Sequence, residues 1–191
     1  MAAAQDQTAG SPATAYTHDP ALEQLIRSKI RDVPDYPRPG ILFKDITPLL
    51  ADPAALRSVV AALGAGFGPV DLVTGIEARG FILAAPVATC LGAGFVPVRK
   101  QGKLPAATYA ESYELEYGTA TIEVHTDAFE PGQRVLIVDD VLATGGTARA
   151  AVELVRRSGA EVAGISVLLE LAALNGRAKL AGLEVRALLA T

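Results

Sequence analysis

The residues best suited to chemistry lie close together in residues 135–147, which read VLIVDDVLATGGT. An apolar run there ends in two adjacent carboxylates, and a short loop rich in glycine and threonine precedes a helical apolar pattern. Glycines let backbone N–H groups converge on an anion, and a helix N-terminus adds unpaired N–H groups and a favourable dipole. The segment therefore predicts a phosphate-binding turn formed by Ala143, Thr144, Gly145, Gly146 and Thr147.

The two carboxylates, Asp139 and Asp140, need a different partner from the phosphate. They repel an anion, but they accept hydrogen bonds from sugar hydroxyls. A sugar held by these aspartates, with its 5′-phosphate on the glycine turn, is a phosphoribose site. The alternative is a plain turn after a solvated strand end, and the coincidence of strand, acid pair and small-residue helix start argues against it.

Other nucleotide and phosphate motifs do not fit the chain. A Walker A loop needs a lysine directly after its second glycine, and neither that string nor a dinucleotide-binding G-x-G-x-x-G string occurs. A strand ending in two aspartates also resembles the start of a phospho-receiver domain. A receiver needs a phosphorylatable aspartate on a later strand, and no aspartate follows Asp140.

The elements that must position this site follow an alternating pattern. Strands are predicted over 70–76, 94–98, 119–124, 134–139 and 162–169, with helices over 80–91 and 146–158 between them. Further helices are predicted to begin at Asp19-Pro20 and Asp52-Pro53, because an acidic N-cap followed by proline is a helix-start signal. This order predicts an α/β fold with a mostly parallel central sheet and helices on both faces, and ligands at the carboxyl ends of the strands.

Two polar segments are predicted to lie outside this framework. Residues 1–17 have little to bury and lack the features of a secretory signal, so they are predicted to be a disordered tail before a single domain over 18–191. Residues 99–118 are charged and rich in glycine and tyrosine, which predicts a long flexible loop; residues 101–117 would suit a lid over the site.

Composition narrows the class of protein. The 191 residues carry a net charge of −4, which argues against a nucleic-acid-binding protein. No segment reaches the roughly 20 uninterrupted apolar residues of a membrane span. The single cysteine, Cys90, excludes an internal disulfide, as is typical of a cytoplasmic protein, and its apolar neighbours predict burial.

Five segments resemble, in the same order, those of the adenine phosphoribosyltransferases, a branch of the type I phosphoribosyltransferases. They are PRPGILFKDITPLL (37–50), GIEARGF (75–81), VPVRKQGKLP (96–105), SYELEYG (112–118) and VLIVDDVLATGGT (135–147). The resemblance implies a purine salvage enzyme that transfers the 5-phosphoribosyl group of phosphoribosyl pyrophosphate (PRPP) to adenine, giving AMP and pyrophosphate. It also implies a small N-terminal hood and a homodimer.

The resemblance assigns roles to further residues. Pyrophosphate would be bound by Arg79, Arg99, Lys100 and Lys103, and adenine by Leu42, Phe43 and Lys44. Related enzymes often carry arginine at the position of Lys44. Glu116 and Tyr117 would be catalytic, the glutamate managing a proton on the base. Glu111 and Glu114 lie nearby, and the resemblance alone selects Glu116.

Magnesium is expected to arrive with PRPP. Because Mg²⁺ is usually held through substrate oxygens, waters and one or two carboxylates, we expect no direct protein cage, only the proximity of Asp139 and Asp140. Two alternatives remain open from the sequence. One is transfer to another base, such as a 6-oxopurine or orotate. The other is a non-enzymatic PRPP-sensing regulator, which normally carries a basic nucleic-acid-binding segment.

Overall fold

The computed structural model describes residues 19–114 and 118–191. Its helices are α1 (Pro20–Lys29), α2 (Thr47–Ala51), α3 (Pro53–Gly64), α4 (Arg79–Leu91) and α5 (Gly146–Arg157). Its strands are β1 (Arg31–Pro34), β2 (Leu42–Asp45), β3 (Leu72–Ile76), β4 (Gly94–Lys100), β5 (Thr108–Glu114), β6 (Thr119–His125), β7 (Arg134–Leu142), β8 (Glu161–Glu170) and β9 (Val185–Ala190). Two 3₁₀ helices, Ala172–Leu174 and Gly176–Leu180, lie between β8 and β9.

Seven strands form the central sheet in the order β5-β6-β4-β3-β7-β8-β9. The pairings of β3 with β4 and β7, of β7 with β8 and of β8 with β9 are parallel. The β5–β6 hairpin joins the edge through an antiparallel pairing of β6 with β4. The prediction of a mostly parallel sheet is confirmed.

The sheet is covered on both faces, as predicted. Alternate residues of the central strand β7 point to opposite sides, and both sets are buried. Leu136 and Val138 pack into the core shared with α1 to α4, whereas Val135 and Ile137 pack into the core shared with α5. The continuous apolar run of β7 therefore contributes side chains to the hydrophobic cores on both faces of the sheet.

The predicted helix starts at Asp19 and Asp52 are confirmed. The Asp19 carboxylate accepts the N–H groups of Ala21 and Leu22, and Asp52 caps α3 in the same way. In each case the side chain satisfies backbone donors that have no partner within the helix.

A separate two-stranded sheet precedes the main one. In it β1 pairs antiparallel with β2 from Arg31 opposite Asp45 to Pro34 opposite Leu42. We refer to β1, β2 and residues 35–41 between them as the hood. The predicted tail, residues 1–17, lies outside the described residues.

The prediction of a long loop over residues 99–118 is wrong in part. Arg99 and Lys100 belong to β4, and residues 108–114 form β5, which pairs with β6 along its whole length. Its polar sequence still forms a strand because Tyr109 and Tyr113 lie on one face and pack against the α5-side core. Residues 115–117, between β5 and β6 in sequence, lie outside the described residues.

Cys90 is exposed, contrary to the prediction. Helix α4 buries Leu83, Ala84, Val87 and Ala88 on its inner side, and the helical period leaves Cys90 outside that stripe. Among the described residues, no helix has the length and apolar character needed to cross a membrane.

Candidate active site

The turn after β7 forms a compact cradle at the N-terminus of α5. Strand β7 runs three residues past its predicted end, because Val141 and Leu142 pair with Leu169 and Glu170 of β8. Gly145 precedes α5 with φ 77°, a left-handed conformation that favours glycine. A cavity of about 70 Å³ lies here; its lining residues are Asp139, Val141, Leu142, Ala143, Thr144, Gly145, Thr147, Ala148 and Val167. Five of the seven predicted phosphate and ribose residues share this cavity.

The two aspartates of β7 make different contacts. Asp139 lines the cavity, and its Oδ1 accepts the N–H of Asp140 at 2.9 Å. Asp140 is 5% exposed, and its Oδ2 lies 2.5 Å from Nη2 of Arg79. Burial, reinforced by the charge of Asp140, raises the pKa of Asp139 well above its usual range. Burial also raises the pKa of Asp140, and the Arg79 charge opposes that shift.

Arg79 links this end of the sheet to the hood. Beyond its ion pair with Asp140, its Nη1 donates to the Lys44 carbonyl oxygen at 3.3 Å. Its guanidinium carbon also lies 4.9 Å from the centre of the Phe43 ring, within the range of a cation–π contact. One side chain thus connects a predicted ribose residue with two predicted adenine residues.

The hood presents its three predicted residues in different ways. Leu42 is 50% exposed. The Phe43 ring packs edge-on against Tyr36, with ring centres 5.2 Å apart. Nζ of Lys44 pairs with Asp32 across the hood at 2.8 Å, so toward Arg79 this residue offers its carbonyl group.

The predicted pyrophosphate cations are organised by a glutamate that the sequence reasoning missed. Glu77 lies in the turn between β3 and α4, and its Oε2 accepts the backbone N–H of Lys100 at 2.9 Å. Its Oε1 lies 3.4 Å from Nη2 of Arg99, whose Nη1 donates to the Lys103 carbonyl oxygen at 3.0 Å. The Lys100 N–H bond, with a smaller contribution from Arg99, lowers the pKa of Glu77.

Glu77 therefore ties the turn that leads into α4, whose first residue is Arg79, to the end of β4. The contacts of Arg79 itself are with Asp140 and the hood, whereas Glu77 contacts the Arg99 side chain and the Lys100 backbone, and Arg99 in turn contacts the Lys103 carbonyl group. The only signal for Glu77 in the sequence is an acidic residue next to the turn of GIEARGF.

The end of β5 lies against the start of α5. A Cβ placed on Gly146 would lie 3.2 Å from the Glu114 carbonyl oxygen and 3.2 Å from a ring carbon of Tyr113. A side chain at Gly146 would therefore meet β5. Glu116 and Tyr117 follow directly in sequence and lie outside the described residues.

The carboxylates suit a cation that arrives with a substrate. In the described ranges, 19–114 and 118–191, no group of three or more His, Cys, Asp or Glu side chains could hold a metal by itself. Asp139 and Asp140 offer adjacent carboxylates, and the buried Oδ2 of Asp140 accepts no hydrogen bond of good geometry. Asp139 faces the cavity and Asp140 lies beside it in sequence, and one or two carboxylates with substrate oxygens are the way Mg²⁺ is usually held.

Comparisons with known proteins agree on one family. Residues 57–183 match the family model described as the phosphoribosyl transferase domain. An adenine phosphoribosyltransferase of Thermobifida fusca is 67% identical over 169 residues, which are 87% of this chain and 96% of that protein.

Solved structures give the same result. The adenine phosphoribosyltransferase of Rhodothermus marinus matches with TM-score 0.87 and 54% identity, over 91% of this chain and all of that one. The Saccharomyces cerevisiae enzyme, solved with adenine and an imino-altritol bisphosphate, matches with TM-score 0.84 and 38% identity, over 88% of this chain and 99% of that one.

Proposed function

The chain belongs to the adenine phosphoribosyltransferases, and from that premise we propose how its residues divide the work of the reaction. The enzyme transfers the 5-phosphoribosyl group of PRPP to adenine, giving AMP and pyrophosphate, and thereby salvages a free purine. The observation that best supports the division is the path from the cradle cavity through Asp139, Asp140 and Arg79 to Phe43 in the hood.

The cradle takes the 5′-phosphate and the aspartates take the ribose. Ala143, Thr144, Gly145 and Thr147 line a small cavity at a helix N-terminus, where backbone N–H groups favour negative charge. Asp139 lines that cavity, so its carboxylate is placed to accept a ribose hydroxyl while the phosphate lies on the turn. Asp140 accepts the second hydroxyl once Arg79 shares its charge with the substrate.

The basic residues bind the pyrophosphate group of PRPP, and the hood binds adenine. Pyrophosphate, which carries several negative charges, is bound by Arg79, Arg99, Lys100 and Lys103. Adenine lies against Phe43, with Leu42 at its edge and the backbone of Lys44 as a hydrogen-bonding partner. Since the Lys44 ammonium pairs with Asp32, lysine in place of arginine leaves this backbone contact intact.

The chemical step is a displacement at the anomeric carbon through an oxocarbenium-like transition state. Magnesium, which arrives with PRPP near Asp139 and Asp140, would neutralise charge on the pyrophosphate. The cations stabilise the same charge as it develops on the leaving group. By the family resemblance, Glu116 accepts the proton that the purine nitrogen loses, and Tyr117 acts with it in the catalytic step.

A second copy of the chain completes the enzyme in this proposal. Large apolar side chains are exposed on α4 and at the start of β4, where Ile82 is 48% exposed and Leu91 and Phe95 are each 36% exposed. Exposed Cys90 lies on the same helix, and exposed apolar side chains are common at interfaces between copies of a chain. A homodimer formed here would set the partner beside β4, which ends at Arg99 and Lys100. We also propose a cytoplasmic location, consistent with a single unpaired thiol.

The reaction is tested by its stoichiometry. With PRPP, Mg²⁺ and adenine, we expect one AMP and one pyrophosphate for each PRPP consumed, and no AMP when ribose 5-phosphate replaces PRPP. A regulator without activity would bind PRPP and release neither product.

The role of Glu116 is tested with its neighbour as control. Glu116→Gln should lower kcat about 10- to 100-fold, as expected for a lost proton acceptor, with little change in the KM for PRPP. Glu114→Gln, at the described end of β5, should keep kcat within about twofold. Equal effects of the two variants would remove Glu116 from the catalytic step.

A further inference from the structure

A glycine far along the chain lies directly behind the cradle. Gly176 is buried at the start of the second 3₁₀ helix, although its neighbours Asn175 and Arg177 are exposed. A Cβ placed on Gly145 would overlap the Gly176 carbonyl oxygen. Conversely, a Cβ placed on Gly176 would overlap the Ala143 carbonyl oxygen and lie 2.8 Å from the Gly145 nitrogen. The two backbones are in contact, with no room for a side chain on either.

Several bonds hold this segment in place. The Leu171 N–H donates to the Leu142 carbonyl oxygen at 2.9 Å, which joins the end of β8 to the end of β7. Arg177 donates two hydrogen bonds to the Glu170 carboxylate, from Nε to Oε1 at 3.1 Å and from Nη2 to Oε2 at 2.5 Å. Its Nη1 donates to the Val185 carbonyl oxygen at 2.6 Å. We call residues 171–180 the brace.

The Arg177 ion pair is well placed to fix the brace. The Glu170 side chain is only 12% exposed, and the two-pronged contact with a guanidinium has the geometry of strong arginine–carboxylate pairs. The hydrogen bonds with Glu170 also raise the pKa of Arg177. Gly176 directly precedes Arg177. The Arg177–Glu170 ion pair, which we call the clamp, therefore fixes the backbone that contacts the cradle.

We propose that Gly176 is a positioning residue for binding of the 5′-phosphate, and that the Arg177–Glu170 pair holds it against the Ala143–Gly145 turn. The inference rests on the proposed role of that turn. A turn whose glycine has a positive φ can relax when its backbone is unsupported, and the N–H groups of the turn must converge to bind an anion. The brace supplies that support through the contact of Gly176 with the turn, and its residues are not among those that line the cradle cavity.

Gly176→Ala should weaken the binding of ribose 5-phosphate and leave that of pyrophosphate unchanged. In Gly176→Ala the new methyl group must displace the turn. The inhibition constant of ribose 5-phosphate against PRPP should then rise about 10- to 100-fold, the size of effect that a displacement of about 1 Å gives. The inhibition constant of pyrophosphate, which binds elsewhere, should stay within about twofold of the parent enzyme. A change that only lowered the folded fraction would reduce kcat and leave both constants unaltered.

Gly182→Ala is the matched control. Gly182 follows the brace and has φ 81°, so alanine strains the backbone there, but a Cβ would meet nothing within 4 Å. Both inhibition constants should be unchanged in this variant. If Gly182→Ala and Gly176→Ala shift the ribose 5-phosphate constant equally, the contact with the cradle is not the cause and the inference is wrong.

A second pair of variants covers the case in which Gly176→Ala does not fold. Arg177→Gln breaks the clamp without adding an atom to the turn, and it should raise the ribose 5-phosphate constant about threefold, comparable to one lost hydrogen-bonded contact. Arg156→Gln, at the exposed end of α5, should not. An unchanged constant in Arg177→Gln would overturn the proposal.

A further variant distinguishes an error in the proposed phosphate site from an error in the proposed role of the brace. Thr147→Val removes a cradle hydroxyl without touching the brace. If Thr147→Val also leaves the ribose 5-phosphate constant unchanged, the phosphate lies elsewhere and the proposed function of the turn is wrong. If Thr147→Val weakens binding and neither brace variant does, the cradle stands and the brace is refuted.

Discussion

The cradle and the hood are built in opposite ways, although both serve one reaction. The cradle follows the central strand β7, which has parallel neighbours on both sides and buried cores on both faces. The hood is a separate two-stranded sheet with exposed side chains, among them Tyr36 at 54% and Leu42 at 50%. Arg79 connects the two through Asp140, the Lys44 carbonyl group and the Phe43 ring.

This contrast indicates which part of the chemistry is fixed and which is adjustable. In the proposed division, phosphate and ribose bind where the backbone is buried and supported from several sides. In the same proposal, the base is recognised by a small separate sheet, which Arg79 contacts at the Phe43 ring and the Lys44 carbonyl group. Substitutions in the cradle should therefore weaken the binding of PRPP whichever base is used. Substitutions in the hood should alter mainly the KM for the base.

The largest effect should come from Gly145→Ala. Alanine at a left-handed φ costs roughly 1–2 kcal/mol, and its Cβ would also overlap the Gly176 carbonyl oxygen. We expect kcat/KM for PRPP to fall about 100-fold in steady-state assays. Gly132→Ala is the control, because Gly132 has φ 82° and a Cβ there would meet nothing within 4 Å. Equal losses in the two variants would mean that the cradle is no more constrained than an ordinary turn.

Arg79→Lys should break the connection between the two regions. Lysine keeps the charge but does not reproduce the planar contacts with Asp140, the Lys44 carbonyl group and the Phe43 ring. We expect kcat/KM to fall about 10- to 30-fold, corresponding to about 1.4–2 kcal/mol, with the KM values of both PRPP and adenine raised. Arg31→Lys, at the exposed edge of the hood, is the control. A rise in the KM for PRPP alone would show that Arg79 serves the pyrophosphate without joining the two regions.

Phe43→Leu should affect the hood alone. Loss of the ring removes an aromatic contact worth about 0.5–1.5 kcal/mol, so the KM for adenine should rise about 3- to 10-fold while that for PRPP is unchanged. Tyr36→Leu, which removes the ring packed edge-on against Phe43, should give a smaller rise. The contrast between the two regions fails if Phe43→Leu raises both KM values equally.

The smallest effect concerns the free energy of unfolding in Asp139→Asn. The pKa of Asp139 is raised in the folded state, so the folded protein holds a proton that the unfolded chain releases, and its stability falls as the pH rises above the unfolded pKa of about 3.9. Asparagine avoids this penalty and still accepts the Asp140 N–H. Asp139→Asn should therefore unfold at higher temperature than the parent at neutral pH, with the gain vanishing below about pH 4.

The measurement is thermal unfolding of both proteins across that pH range. Asp127→Asn, in the turn after β6, serves as the control. If Asp139→Asn is less stable than the parent at neutral pH, the charged Asp139 carboxylate stabilises the folded protein and the prediction is wrong.

The sequence predicted the cradle because several local signals coincide there. An apolar run, an acid pair, two glycines and a helical pattern occur within residues 135–147, and each depends only on neighbours in the chain. The helix starts at Asp19 and Asp52 were predictable for the same reason. Strand β5 was missed because its polar sequence is typical of a loop, and only pairing with β6 and packing of its tyrosines make it a strand.

The contacts that organise the site were not predictable, because they join residues distant in sequence. Glu77 meets Lys100, and Arg79 meets the carbonyl group of Lys44, only after the strands have assembled. Gly176 carries no local signal beyond a glycine between polar residues. Cys90 was misplaced because apolar composition does not tell which face of a helix is buried.

The most direct test of the division between cradle and hood is base competition. The enzyme is given PRPP and Mg²⁺ with equal amounts of adenine, guanine, hypoxanthine and orotate, and the nucleotides formed are separated by chromatography. We expect AMP alone from the parent enzyme, and from Phe43→Leu less AMP at subsaturating adenine with PRPP binding unaltered. Formation of IMP, GMP or orotidylate by the parent enzyme would contradict the assignment of the hood to adenine, while leaving the phosphoribose site in place.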